Sequence, residues 1–310
     1  MPRLAIAALL ALGLQATPST MREIAVTIDD LPTVSVLGND LGAAQRITTD
    51  LLAALTRNHA AAIGFVNEGK LRTGGRIDPR RVALLRRWLE AGFELGNHTF
   101  SHVDFHSTPL ADYERQVLDG EKVTKGLLQE RRKSIRYFRH PFLHTGRSAA
   151  DRRQFEGFLR RHGYRVAPIT FDNYDYIFAA AYDRAAARDD GAAQRKIADE
   201  YVSYMEAIAA FYEQQSVTIV GREVRQTLLI HASALNAATF DRLASMLRAR
   251  GYRFITLDRA LADPAYQHRD EYYGPAGITW LHRWALTDGK RGAIFAGEPI
   301  VPDWIEQAAR

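Results

Sequence analysis

The chain has 310 residues, enough for one large α/β domain, and 46% of them are hydrophobic, enough to fill a core. It contains no cysteine, which excludes disulfides, thiolate metal sites and a cysteine nucleophile. The net charge is +5, but the basic residues fall in scattered pairs such as Arg80-Arg81, Arg86-Arg87 and Arg160-Arg161, with no interleaved aromatic platform, so they read as solvated helix faces and argue against a nucleic-acid partner.

At the start, Arg3 precedes an apolar run from Leu4 to Leu14 that is short for a membrane span. Gln15-Ala16-Thr17-Pro18 follows, and the whole reads as a secretory signal peptide cleaved after Ala16. The protein is then expected outside the cytoplasm, in the periplasm or beyond, as a single domain over residues 17–310. An uncleaved N-terminal anchor is the other reading. No later run is long and apolar enough to cross a bilayer.

From Glu23 to Asp30 the chain is rich in β-branched apolar residues and predicts a buried strand that ends in Asp29-Asp30. Two carboxylates at a strand end bordering a core are costly unless they have chemistry to do. The plainer reading is a pair that caps the following loop. Strand alternation predicts that the two point to opposite sides. A helix is predicted from Leu41 to Asn58 and a second strand over Ala62–Val66. Asp78-Pro79 opens a helix reaching Gly92, and a short strand at residues 93–96 runs into His98.

His98 and His102 are four residues apart, with His106 at the same interval. On a helix the first two imidazoles would share one face, about 5–6 Å apart at Cβ, which suits two ligands of one metal ion. His106 is either a third ligand or an ordinary polar position. A helix is predicted from Ala111 to Gln129, then a strand at Ile135–Phe142 that delivers Arg139, a helix from Phe155 to His162 and a strand at Tyr164–Phe171. Residues 179–225 hold two Ala- and Tyr-rich helices, read as an enlarged crossover and a candidate lid. Gln226–His231 is an apolar strand ending in histidine, Phe240–Arg250 a helix, and Tyr252–Leu257 the last strand. The tail carries a loop at residues 272–277 and a packed helix at Trp280–Leu286. This alternation predicts a parallel sheet.

Successive strand ends thus carry Asp29-Asp30, His98, Arg139, Asp172 with Asp175, and His231, which would meet in the mouth of a closed barrel. Five blocks in this order resemble the polysaccharide deacetylases with a NodB homology domain, carbohydrate esterase family four. Thr27-Ile28-Asp29-Asp30 is similar to the first motif, TFDD, and His98-Thr99-Phe100-Ser101-His102 fits the second, H-(S/T)-x-x-H. Arg139-His140-Pro141-Phe142 resembles R-x-P-(F/Y), Asp172-Asn173-Tyr174-Asp175-Tyr176 resembles D-x-x-D-W with Tyr for Trp, and Leu229-Ile230-His231 matches L-x-H. The resemblance covers about residues 22 to 260, leaving 261–310 as a C-terminal extension.

The resemblance implies a distorted (β/α) barrel of NodB type, with the helical insertion near residues 179–225. It also implies a metal-dependent hydrolase that removes N- or O-acetyl groups from a glycan. Asp30, His98 and His102 would hold a divalent metal, Zn²⁺ first, with Co²⁺ or Ni²⁺ also suited. Asp29 would be the general base, kept ionised and oriented by Arg139. The Phe142 N–H would face the oxyanion. His231 would be the general acid, paired with Asp175 first and Asp172 second. Phe142, Tyr176 and Asp172 would line the substrate pocket. His140 and His144 either touch substrate or have no role. The other readings are a hydrolase of a different non-peptide C–N bond on the same fold and a catalytically silent glycan-binding module. The residues leave the particular glycan and the oligomeric state open.

Overall fold

The computed structural model describes residues 21–38 and 40–310, so the expected signal segment, Leu4 to Ala16, lies outside the described residues. Every residue of β1 (Arg22–Leu31) except Arg22 is buried, as the apolar and β-branched run over residues 24–28 requires for a strand covered on both faces. It is joined in parallel by β2 (Ala62–Val66), β3 (Glu94–Asn97), β4 (Tyr137–Phe138), β5 (Arg165–Val166) and β6 (Gln226–His231). The order across the sheet is β5-β4-β3-β2-β1-β6. β7 (Tyr252–Phe254) pairs with the first three residues of β1.

The stretch 165–171 closes this sheet into a distorted barrel. At one end the Ala167 N–H donates to the Phe138 carbonyl at 2.8 Å, and at the other the Phe171 N–H donates to the Thr227 carbonyl at 3.0 Å. One segment therefore bridges the two sheet edges, which brings the strand ends named above to one mouth.

The helices lie where the apolar periodicity places them, with differences at several ends. The helix α1 (Leu41–Arg57) starts on Asp40, whose side chain accepts from the Ala43 N–H, and it buries Ile47, Leu51, Leu52 and Leu55. The helix α2 (Pro79–Glu90) starts on Asp78 in the same way. The single helix expected over 111–129 is two, α3 (Leu110–Asp119) and α4 (Lys122–Gln129). They break at Gly120 because the backbone of Thr99-Phe100 runs hard against it: a Cβ there would lie 2.7 Å from both the Phe100 nitrogen and the Thr99 carbonyl carbon. Gly120→Ala is expected to displace the loop that carries His98 and His102. An overpacking strain of about 1–3 kcal/mol should then appear as an about tenfold or greater loss of Zn²⁺ affinity, read by competition with a chromogenic chelator. Unchanged affinity would show that the loop yields without cost.

The helix α5 (Ala149–Arg161) begins six residues before the expected start, because Ser148 Oγ accepts from the Asp151 N–H and caps it. The segment 179–225 belongs to α6 (Asp175–Ala187) and α7 (Gly191–Val220). It is not a lid: Tyr201, Met205, Ile208 and Tyr212 of α7 are buried in the main core. The helix α8 (Ala234–Ala249) starts on Ser233, whose Oγ accepts from the Asn236 N–H. After α9 (Leu257–Leu261), α10 (Trp280–Thr287) and α11 (Asp303–Ala308) add Trp280, Leu281, Trp284 and Ile305 to the same core. No described helix is long and apolar enough to cross a membrane.

Candidate active site

A cavity of about 510 Å³ opens at the carboxyl ends of the strands. Asp29, Asp30, His98, His102, Phe142, Asp172, Tyr176 and His231 line it; Arg139 and Asp175 stand behind them. The backbone achieves this convergence in ways that differ from the expectation. The register between β1 and β2 shifts between Ile28 and Leu31, and Asp30 takes a left-handed backbone with φ 72°. This bulge turns both carboxylates into the one cavity instead of alternating them. His98 and His102 do not lie on a helix. They sit in a loop after β3 in which Thr99 (φ 64°) and His102 (φ 55°) are left-handed. Asn67 Nδ2 donates to the His98 carbonyl at 2.6 Å, the Thr99 N–H donates to Asn97 Oδ1 at 2.8 Å, and the Phe100 N–H donates to the Gln116 carbonyl at 2.9 Å. Left-handed non-glycine residues cost roughly 1–3 kcal/mol each and gather where function over-determines them.

Asp30, His98 and His102 each offer a ligand atom, all within 4.8 Å of one another. His98 Nδ1–H donates to the Arg139 carbonyl at 2.8 Å, so its Nε2 is the free nitrogen, and that atom is 3.7 Å from Asp29 Oδ2 and 3.8 Å from Asp30 Oδ1. His102 Nε2 stands 3.6 Å from Asp30 Oδ1. Burial holds both imidazoles down at about 4, with His98 adding to the effect on His102, so both are neutral at pH 7 and available as ligands. Burial works against the Asp30 carboxylate, but Lys70 and the two histidines outweigh it and hold it well below the usual range. Lys70 Nζ lies 3.4 Å from Asp30 Oδ1 and donates to the Asp30 carbonyl at 3.1 Å. Buried Oδ1 atoms of both Asp29 and Asp30 lack a hydrogen-bond partner. An Asp29 Oδ1 without a partner and an Asp30 Oδ1 met by Lys70 at 3.4 Å, beside two neutral, oriented imidazoles, fit a divalent cation.

Asp29 Oδ2 accepts from Arg139 Nη1 at 3.2 Å. Arg139 is wholly buried. It also donates from Nε to the Ala167 carbonyl at 2.8 Å and from Nη2 to Thr27 Oγ1 at 2.9 Å, and it lies over the Phe65 ring. Arg139 pulls the Asp29 carboxyl down, in the expected direction, but burial pushes it up by more, so the net shift is upward.

On the opposite wall, His231 Nδ1 bonds Asp175 Oδ1 at 2.7 Å. Asp175 Oδ2 accepts from the His231 N–H at 2.8 Å and from Asn236 Nδ2 at 2.7 Å. Tyr201 OH in turn donates to Asn236 Oδ1 at 2.8 Å, so α7 supports the pair from behind. Burial opposes charge on His231, but Asp175, with Asp30 and Asp29, overrides it and pushes the imidazole up to about 9. Asp172 is not the partner of His231: its Oδ1 accepts from the Asn173 N–H, and burial and Glu298 raise its carboxyl to about 7.

Phe142 (φ 56°, ψ 11°) and Leu143 (φ 55°) are both left-handed, and the Phe142 ring meets His102 edge-on with centroids 4.6 Å apart. The N–H groups of Leu143 and His144 are spent on the His140 and Pro141 carbonyls, while among the described residues the Phe142 N–H has no acceptor. Phe142 and Tyr176 are half exposed at the mouth. None of the lining residues comes from 179–225, but one, Gly277, comes from the tail.

His106 is not a third ligand of the first group. With Asp104 and His144 it forms a second group of potential ligands. There His144 Nδ1 bonds Asp104 Oδ1 at 2.7 Å, and the two rings stack with centroids 3.9 Å apart and planes 6° from parallel. A metal must lie in the plane of each imidazole that binds it, and two stacked parallel planes share no such point, so this group is a stacked pair and not a ready ion site. His140 is buried among Phe105, Tyr113, Phe138 and Phe155 and packs the core.

Lys70, Asn236 and Tyr201 carried no motif, and the sequence analysis missed them. Their only signal is position: Lys70 follows the end of β2, and Asn236 sits three residues after the cap of α8.

The family model described as polysaccharide deacetylase matches residues 16–174, just over half of the chain. The fold is similar to that of a mutant of BA3943 of Bacillus anthracis, described as a CE4 family pseudoenzyme. The identity is 13%, with 78% of this chain and 68% of that one covered and a TM-score of 0.50. Also similar are the peptidoglycan deacetylase PdaC from Bacillus subtilis (19% identity, 78% and 90% covered, TM-score 0.47) and a family 4 carbohydrate esterase from Streptomyces lividans in complex with acetate (20%, 78% and 96%, 0.47).

Proposed function

We propose, from the premise that this chain belongs to the polysaccharide deacetylase family, that its cavity removes acetyl groups from a glycan by metal-assisted hydrolysis, with Zn²⁺ as the metal. The reading is carried by one observation: the Asp30, His98 and His102 group shares a single cavity with the Asp29–Arg139 pair and the His231–Asp175 pair. Two imidazoles and a carboxylate suit Zn²⁺, with Co²⁺ and Ni²⁺ next.

When bound by Asp30, His98 and His102, the cation supplies a Lewis acid that polarises the acyl oxygen and acidifies water. The protein's own groups do the rest. Asp29 takes the proton from the attacking water through Oδ1, the oxygen left without a partner, while Arg139 holds Oδ2. The Phe142 N–H donates to the charge that develops on the acyl oxygen. His231 gives its proton to the departing nitrogen or oxygen as the carbonyl carbon releases it, with Asp175 holding the ring in position. Water and the acetylated sugar thus become acetate and the free amine or hydroxyl. The half-exposed Phe142 and Tyr176 present apolar faces to the sugar at the mouth.

The test is acetate release from a panel of acetylated glycans: chito-oligosaccharides, peptidoglycan and O-acetylated xylan. Chelator-treated protein is expected to release none, and Zn²⁺ or Co²⁺ to restore release. Tight Zn²⁺ binding without acetate from any glycan would instead favour another non-peptide C–N bond as the target. Failure to bind Zn²⁺ would leave a glycan-binding module.

A further inference from the structure

Gly277 lies far beyond the segment matched by the family model, in the stretch that leads into α10, yet it lines the catalytic cavity. A Cβ built on it would stand 1.8 Å from the Phe142 carbonyl oxygen, 2.9 Å from the carbonyl carbon and 3.2 Å from Leu143 Cβ. Here glycine is required by close approach and not by backbone handedness. The chain of the tail rests directly on the turn that presents the Phe142 N–H.

That turn has little room to retreat. Both its central residues are left-handed, and the tail fastens it on either side of Gly277. Before Gly277, Asp270 and Tyr272 are tied to buried arginines: Arg283 donates from Nε to Asp270 Oδ2 at 2.8 Å, and Arg152 of α5 donates from Nη1 to the Asp270 carbonyl at 2.7 Å. The same Arg283 reaches the turn itself, donating from Nη1 to the Leu143 carbonyl at 3.4 Å and from Nη2 to Thr145 Oγ1 at 2.5 Å. After Gly277, Thr279 Oγ1 donates to the Thr170 carbonyl at 2.9 Å, and the Trp280 N–H donates to the Ile169 carbonyl at 2.8 Å. These two carbonyls belong to the segment that closes the barrel. The tail is thus anchored at both ends, and in between Gly277 rests on the residue proposed to stabilise the oxyanion.

We propose that Gly277 is a positioning residue for the deacetylation reaction: the C-terminal segment 270–283 is a clamp that, at Gly277, fixes the Phe142 peptide in its left-handed conformation and so aims the Phe142 N–H at the acyl oxygen. This rests on the assignment of the Phe142 N–H made above. It also gives the extension after residue 260 a part in the chemistry.

The test compares Gly277→Ala and Thr279→Val with Ile305→Ala in the full-length, Zn²⁺-loaded protein. Ile305→Ala loosens the tail at α11, away from the turn. Four quantities are measured: kcat and KM on the best acetylated oligosaccharide of the panel, affinity for its methylphosphonamidate analogue (a tetrahedral mimic), Zn²⁺ stoichiometry and Tm. Gly277→Ala is expected to lower kcat by about 10–100-fold, part of the 10²–10³ lost when an oxyanion donor is removed. KM should stay within about threefold, the analogue should weaken in parallel with kcat/KM, and one Zn²⁺ should remain bound. Thr279→Val, which creates no clash, should shift kcat the same way by less. Ile305→Ala should lower Tm and leave kcat within about twofold.

The proposal is overturned if Gly277→Ala keeps its kcat, if kcat across the three variants merely follows Tm, or if Zn²⁺ is lost. A fall in kcat with unchanged affinity for the analogue overturns instead the assignment of the Phe142 N–H, and the clamp with it.

Discussion

Asn in place of Asp29 is expected to lower acetate release by about 10³-fold, within the 10²–10⁴ that a positioned general base contributes, while one divalent cation per chain remains bound. The substitution keeps the shape of the side chain, and an amide oxygen can still accept from Arg139 Nη1, which now reaches Oδ2 at 3.2 Å. What is lost is the capacity to take a proton. Asp29 stands outside the Asp30, His98 and His102 group that could hold the cation, so Zn²⁺ affinity is expected to change far less than kcat. Acetate release and chelator competition on the same preparation separate the two effects. If Asp29→Asn retains a tenth of the activity, the base lies elsewhere. If it loses the cation, Asp29 is a ligand and the division of labour between the two carboxylates is wrong.

The pH profile carries a second reading of the same group. Burial raises the Asp29 carboxyl above its ordinary value, and a base must be ionised, so activity is lost as pH falls through that raised pKa. The histidines at the cation site stay neutral down to about 4, so through neutral and mildly acidic pH they do not take up protons in competition with a cation. If the acid limb of kcat/KM reports this base, it should vanish in Asp29→Asn along with most of the rate.

How far the site was readable in the sequence depends on the kind of cause. The strand ends were legible because β1 and β6 are unbroken apolar runs that stop on Asp29-Asp30 and His231, and a run of that kind has only one place to go in a parallel sheet. The order of the strand ends was legible for the same reason. The local backbone was not. Asp30, Thr99, His102 and Phe142 are left-handed without being glycine, and nothing in their neighbours along the chain encodes that. Distant residues meet these segments, Asn67 and Gln116 at the histidine loop and Gly277 at the Phe142 turn, while Asn97 adds a local bond to the Thr99 N–H. A four-residue spacing of histidines therefore pointed to the pair that the fold brings beside Asp30, through the wrong secondary structure. The direction of the Asp29 shift was not legible for a related reason. Arg139 could be seen in the sequence as a partner, but the depth at which both groups are buried could not, and the depth decides the sign. The helical segment 179–225 read as a cleft element, whereas its tyrosines face the core and one of them, Tyr201, braces Asn236 behind Asp175.

Asn in place of Asp175 should produce the second large effect, by removing the charge that makes His231 an acid. In the native protein Asp175 bonds His231 Nδ1 at 2.7 Å and, with Asp30 and Asp29, overcomes burial to lift the imidazole to about 9. A group that must be protonated to work is active below that value, so kcat/KM should hold through neutral pH and fall as pH rises through about 9. Without the carboxylate, burial is opposed only by Asp30 and Asp29, and the imidazole should fall well below 9. A return to the ordinary 6.5 would lower the imidazolium fraction at pH 8 by about 30-fold from protonation alone, since each pKa unit below the working pH is a factor of ten. Loss of ring orientation adds to this, as in other histidines deprived of their aspartate. The defect should shrink on 4-nitrophenyl acetate, whose leaving group departs without a proton. Stability follows the same linkage. A folded pKa raised above the unfolded one gives stabilisation that is full below about 6.5 and is lost as pH rises through about 9, so the wild-type Tm should fall over that interval more steeply than that of Asp175→Asn. An alkaline limb that stays near 9 in the variant would assign the acid to another group. A defect of equal size on both substrates would make Asp175 a structural residue instead of the source of the proton's affinity.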